Sequence, residues 1–151
     1  MLNLKVAFST IFIMRESKIF VTVDAVVFKK SDGLRVLLIQ RLKEPFKDSW
    51  ALPGGFVDEN EDLQAAAIRE LQEETGIAVS NCVQLKAFGK PGRDPRHHTV
   101  SVAFMAFVAE DTTATAADDA KDAKWFSTDD LPEMAFDHRE IVDFALARVG
   151  D

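Results

Sequence analysis

The spacing of apolar positions changes along the chain, and each change marks an element. From 20 to 28 the sequence FVTVDAVVF alternates and then runs apolar, with β-branched residues in most places, which predicts a strand. Ser31-Asp32-Gly33 reads as a turn and 36–40 as the returning strand. Further strands are expected over 83–88, 100–108 and 123–126. Over 61–75 the period lengthens to that of a helix. Ile68 and Leu71 form its apolar stripe, and Ala66 and Ala67 precede them by a turn, small enough to let the helix sit close under the glycines at 54 and 55. Asp58 or Asn60 is the expected cap. Glu59, Glu61 and Asp62 suit the positive N-terminal end, and Gly76 is the expected stop. A second amphipathic helix is expected over 136–149, with Ile141, Phe144 and Ala145 inward. Leu52-Pro53-Gly54-Gly55 reads as a break that leaves carbonyls free to face a ligand, and 112–122 as a solvent loop. Strands interleaved with two helices predict an α/β layered fold.

Length and composition narrow this picture. A chain of 151 residues, 47% hydrophobic and 28% charged, suits one soluble globular domain. We take 18–151 as that domain and 1–17 as an N-terminal extension or extra strand. The apolar run at 6–14 is too short to span a bilayer and lacks a small-x-small cleavage site. A net charge of −7 argues against nucleic acid and anionic lipid as partners, so a phosphate-bearing substrate must be held by a metal and local Lys or Arg. The single cysteine, Cys82, excludes an internal disulfide, fits a cytoplasmic setting, and reads as a buried thiol.

The chemistry concentrates on the first helix. Glu70, Glu73 and Glu74 are spaced to share one face, where residues three and four apart are neighbours and like charges repel. A solvated face is one reading. A site for Mg²⁺, or Mn²⁺ in its place, is the other, because hard cations prefer carboxylate and carbonyl oxygens.

The surrounding residues favour the second reading. The segment fits Gly-x5-Glu-x7-Arg-Glu-Leu-x-Glu-Glu-x-Gly-Ile at Gly55, Glu61, Arg69, Glu70, Leu71, Glu73, Glu74, Gly76 and Ile77. It resembles the signature of the Nudix hydrolases at every defining position. The resemblance implies an α/β/α sandwich with a central mixed β-sheet. It also implies Mg²⁺-dependent hydrolysis of a nucleoside diphosphate linked to another moiety. Glu70, Glu73 and Glu74 would carry metal, with the carbonyl of Gly54 or Gly55 as a further ligand. Arg69 would orient a box glutamate, at the ion-pair spacing from Glu73, while Glu61 and Gly76 would be structural. The general base stays open between a box glutamate and a loop acid, with Glu110, Asp118 and Asp119 as candidates.

Flanking segments bear on the substrate. The stretches 41–47 and 50–57, the loop Gly92-Arg93-Asp94-Pro95-Arg96 with the strand after it, and Ala135-Phe136-Asp137-His138 resemble ADP-ribose pyrophosphatases. The resemblance covers about 19–147. It implies cleavage of ADP-ribose to AMP and ribose 5-phosphate, with Arg41, Phe46, Arg93 and Arg96 as substrate contacts. Arg93 and Arg96 would meet phosphate or ribose, or else their loop is tied by an Arg93–Asp94 or Asp94–Arg96 contact. Phe46 or Phe88 could stack on adenine. His97 and His98 read as loop or strand-edge residues and His138 as a cap or packing residue. Alternatives on the same box are a nucleoside-triphosphate pyrophosphatase, including sanitisers of oxidised nucleotides, and a GDP-sugar or dinucleoside-polyphosphate hydrolase. A non-catalytic ADP-ribose sensor is a further alternative. Sensors of that kind join the domain to a DNA-binding winged helix, for which the chain has no room after 147 and no basic stripe; intact glutamates favour catalysis. A homodimer is an open expectation.

Overall fold

The strand expected at 20–28 is the spine of a sheet in the computed structural model, which describes residues 16–150. The proposed extension or extra strand lies mainly in 1–15, outside the described residues. In chain order the elements are β1 (Phe20–Lys30), β2 (Leu34–Arg41), β3 (Trp50–Ala51), β4 (Gly54–Phe56), α1 (Leu63–Thr75), β5 (Val83–Phe88), β6 (Thr99–Phe107), β7 (Ala120–Ser127) and α2 (His138–Leu146). The seven strands form one mixed sheet, ordered β3-β2-β1-β6-β5, with β4 pairing β1 and β7 pairing β2. β1 runs parallel to β6 and antiparallel to β2 and β4.

Because side chains alternate across a strand, β1 feeds both faces of the sheet. Val23, Ala25 and Val27 pack with Ala66, Ala67 and Leu71 of α1, while Val26 and Phe28 pack with Ile141, Val142 and Ala145 of α2. The result is the α/β/α sandwich. Asp24 shares the parity of Val26 and Phe28, so it lies on the α2 side. Cys82 is buried beside Val102 and Phe104, where burial raises its thiol pKa.

Several local expectations need correction. α1 starts at Leu63, later than 61, and its cap is Asp62, whose carboxylate accepts the Gln64 N–H at 3.1 Å. Asn60 has φ +60° and Glu61 lies before the helix, so neither it nor Asp58 caps α1. Gly76 ends the helix in the left-handed conformation, as expected. Ala66 and Ala67 pack on the sheet beside Val23, the β1 residue paired with Gly55. The glycine pair is itself a strand, β4, which two residues without side chains could not announce by alternation. The stretch before β7 is not simply solvated: Thr115 and Ala117 N–H groups bond the Thr75 and Glu74 carbonyls, satisfying the end of α1. α2 begins at His138, since Phe136 has φ +52° and Asp137 is not helical.

Candidate active site

Arg69 is the hub of the box. Its Nε and Nη2 hold the two oxygens of Glu61 at 2.6 and 2.8 Å, a bidentate fork. Its Nη1 donates to Glu70 at 2.9 Å and to Glu73 at 3.1 Å, and Nη2 reaches the Phe56 carbonyl at 3.2 Å. Glu61 also accepts the Asp58 N–H at 3.0 Å. The Arg69 hydrogen bonds, with that backbone bond, draw the Glu61 carboxyl down to about 2, and the same bonds raise the Arg69 pKa. One guanidinium thus ties the segment before α1 to two glutamates on it.

β4 meets that helix face with no side chains in the way. A Cβ on Gly55 would lie 2.6 Å from Glu70 Oε1, and one on Gly54 would meet Asp24 Oδ1 at 2.7 Å and overlap the Val23 carbonyl. Close approach to backbone, not φ, requires glycine at 54, while a side chain at 55 would displace the Glu70 carboxylate. The Gly54 N–H donates to Glu74 Oε2 at 3.0 Å. Ladder alternation then chooses between the two candidate carbonyls. Ala25 N donates to Pro53 O and Val57 N to Val21 O, so Gly55 opposite Val23 is the hydrogen-bonded pair and the polar groups of Gly54 turn away from β1. Gly54 is the glycine whose carbonyl is free for a ligand.

Glu74 is 7% exposed, and burial pushes its carboxyl up to about 8; nearby Glu70, Asp24 and Asp119 add to the effect against the opposing Gly54 hydrogen bond. Burial raises Glu70 as well. Two carboxyls that are costly to ionise side by side need a positive partner. The donor set, carboxylates with a carbonyl, is what Mg²⁺ and Mn²⁺ prefer. Glu70, Glu73 and Glu74 each use one oxygen on Arg69 or Gly54, leaving the other without a protein hydrogen bond among the described residues. Among the described residues no group of three or more Asp, Glu, His or Cys side chains is gathered to hold a metal ion.

A cleft opens beside Gly54 and Glu74, and Arg41, Arg96, Phe56 and Phe136 also line it. The Arg41 guanidinium lies 4.9 Å from the Phe136 ring and Arg96 lies 5.9 Å from it, while Arg96 is 5.5 Å from Phe56. Burial, with the charge of Arg96, lowers the Arg41 pKa, the mark of two cations sharing a half-buried wall. Arg96 is held by Asp94 at 2.8 and 3.0 Å, the Asp94–Arg96 tie among the sequence alternatives. Arg93 is bound instead to Asp137, through Nε at 2.9 Å and Nη2 at 2.6 Å, with its side chain 5% exposed. Arg93 also lines the cleft, with its guanidinium paired to Asp137.

The aromatic candidates change. Phe88 is buried in the core against Phe144, and Phe46 packs on Phe136 with centroids 4.7 Å apart without lining the cleft. Phe136 and Phe56 are the rings that face it. Phe136 was hidden by its place in a predicted helix; its neighbour in that motif, Asp137, was the signal. Of the loop acids, Asp119 lines the cleft, Asp118 does not, and Glu110 lies near Gly33 and Val149, away from it. His97 stacks on Phe20 at 4.1 Å, and His98 bonds the Gly89 carbonyl, both before β6. Asp24 and His138, both buried, also line the cleft.

A glutamate-bearing helix after a glycine strand, set on an α/β/α sandwich, defines a class, and the family comparison agrees. The NUDIX domain model matches residues 18–144, and the chain belongs to the Nudix family as a pyrophosphohydrolase. Among its relatives is an ADP-ribose pyrophosphatase of Methanocaldococcus jannaschii, 41% identical over 122 residues, covering 81% of this chain and 70% of the relative. An ADPR-responsive transcriptional repressor of Acinetobacter baylyi is 36% identical over 135 residues, covering 86% of this chain and 54% of the repressor, so the chain spans about half of it. The NUDIX domain of Shewanella oneidensis NrtR, solved in complex with ADP ribose, superposes with TM-score 0.81 at 34% identity, covering 89% of this chain and 90% of that one.

Proposed function

We propose that the protein hydrolyses ADP-ribose to AMP and ribose 5-phosphate with Mg²⁺, in the cytoplasm. The observation that carries this reading is a single cleft lined both by Gly54 and Glu74 and by Arg41, Arg96 and Phe136. Its cations suit a diphosphate and its rings suit a base or sugar face. Similarity to an ADP-ribose pyrophosphatase supports the same substrate. Glu70, Glu73, Glu74 and the Gly54 carbonyl are the groups that would hold the ion. When bound, Mg²⁺ supplies charge neutralisation at the phosphates and activation of water near neutral pH. Arg69 keeps Glu70 and Glu73 in place, and Arg41 and Arg96 bind the anionic substrate. A water oxygen bonds to one phosphorus as the bridging P–O bond breaks, and its proton passes to a carboxylate; Glu74 and Asp119 both face the cleft for that task.

The test is product analysis with Mg²⁺ and ADP-ribose, a nucleoside triphosphate, a GDP-sugar and a dinucleoside polyphosphate. AMP and ribose 5-phosphate from ADP-ribose, faster than any other turnover, is the expected result. Preference for the triphosphate, releasing pyrophosphate, would overturn the substrate. The similarity to a repressor favours a second reading, a sensor, for which ADP-ribose would bind without being cleaved.

A further inference from the structure

Two adjacent side chains at the start of α2 hold both walls of the cleft, and neither belongs to the glutamate box. His138 is 5% exposed, and its Nδ1 accepts the Leu52 N–H at 3.0 Å. That bond needs an unprotonated Nδ1, which assigns the ring proton to Nε2, 3.4 Å from Asp24 Oδ1. Asp24 is buried too and accepts the Ser101 hydroxyl on its other oxygen. From Leu52 the chain reaches Gly54 in two residues, pinned at Pro53 by the Ala25 N–H at 2.8 Å and at Gly54 by Glu74 at 3.0 Å. The segment before α2 runs beside this stretch, with Ala135 N donating to the Trp50 carbonyl at 2.8 Å. One residue before His138, Asp137 grips Arg93 on the loop that carries Arg96.

We propose that Asp137 and His138 act as a two-point clamp that sets the spacing between the Gly54–Glu74 wall and the Arg96 wall. His138, steadied by Asp24, is a positioning residue for the Gly54 carbonyl and therefore for the cation. Asp137 is a positioning residue for the loop that meets the far part of the substrate. The two residues are adjacent at the start of one helix, so both sides of the cleft are referred to the same point of the chain, each through its own hydrogen bonds. The clamp explains why a buried histidine and a buried bidentate arginine pair stand side by side where packing alone would be served by apolar residues.

The experiment separates the two points and uses Mn²⁺ without substrate first. The full chain is titrated with Mn²⁺ by electron paramagnetic resonance, as wild type, His138→Leu, His138→Asn and Asp137→Asn. The Asn carbonyl oxygen falls where Nδ1 stands and can accept the Leu52 N–H; Leu cannot. His138→Leu should weaken Mn²⁺ binding about ten-fold, as losing a ligand-orienting partner does. His138→Asn should recover most of it, and Asp137→Asn should leave Mn²⁺ affinity at the wild-type level. With ADP-ribose, Asp137→Asn should raise KM about five-fold with kcat retained, from a weakened charge-assisted bond. If His138→Leu does not fold, His138→Gln, whose polar atoms fall at the Nε2 position, takes its place with the same expectation. Equal loss of Mn²⁺ affinity in His138→Leu and His138→Asn, or equal loss in Asp137→Asn, would overturn the clamp. Its second half rests on the ADP-ribose reading, but the Mn²⁺ result does not. The expected Mn²⁺ pattern without ADP-ribose turnover would overturn the substrate and support the His138 half.

Discussion

Arg69 shows how one residue organises a catalytic helix. Its planar fork satisfies Glu61 bidentately and still reaches Glu70 and Glu73, which a lysine's single ammonium cannot do. Arg69→Lys should therefore lower kcat/KM by about ten- to a hundred-fold and raise the Mg²⁺ concentration needed for half-maximal activity, checked by steady-state kinetics across a Mg²⁺ series. The Glu61 partner gives a pH prediction. Its folded-state pKa, drawn down by the Arg69 hydrogen bond to about 2, lies below its ordinary 4.5. The pair's stabilisation is then complete above about pH 4.5 and is lost as pH falls through 2. Thermal melts of wild type and Glu61→Gln should differ at neutral pH and converge toward pH 2; a constant difference would contradict the assignment. The Arg69–Glu73 contact was legible as a four-residue helix spacing. The Glu61 contact was not, because Glu61 stands outside the helix where no periodicity places it. Arg93 and Asp137, 44 residues apart, had no local signal at all.

At the scale of elements, alternation and the 3.6-residue period made β1, β2, β5, β6 and α1 readable to within about two residues. What the pattern missed were places where backbone, not side chains, does the work. β4 consists of two glycines and a phenylalanine, and its partner is chosen by close approach to Asp24 and Glu70. The start of α2 was missed because Phe136 and Asp137 carry helix-compatible side chains while their backbone is not helical. α1 is held to the sheet by its apolar side, where Leu71 is 1% exposed among Ala25, Val27 and Leu37. Leu71→Ala should cost about 2–5 kcal/mol in urea unfolding with the substrate KM unchanged, since its side chain faces away from the cleft. A large KM change would mean that α1 shifts as a body and carries the glutamates with it.

Across the whole molecule, a net charge of −7 surrounds a cleft lined by three arginines, of which Arg93 is paired with Asp137 and Arg96 with Asp94. That contrast suits a small, multiply charged anion held locally. Arg41→Gln should raise KM for ADP-ribose about ten-fold, the effect of losing one charge-assisted bond, and should leave the melting temperature within a few degrees. The family and the sandwich were legible in the sequence, because the glutamate box is contiguous. The pairing of Asp24 with His138, and the convergence of Phe56 and Phe136 on the cleft, were not, because these residues meet only when β1, β4 and α2 are assembled. The measurement that bears most directly on the account compares wild type with Glu74→Gln on ADP-ribose in saturating Mg²⁺, following AMP release. Removing one buried carboxylate at the ion's position should cost about 4 kcal/mol of transition-state stabilisation, about a thousand-fold in kcat, with a normal melting curve. Turnover within a few-fold of wild type would show that Glu74 does not hold the catalytic ion and would contradict the site described above.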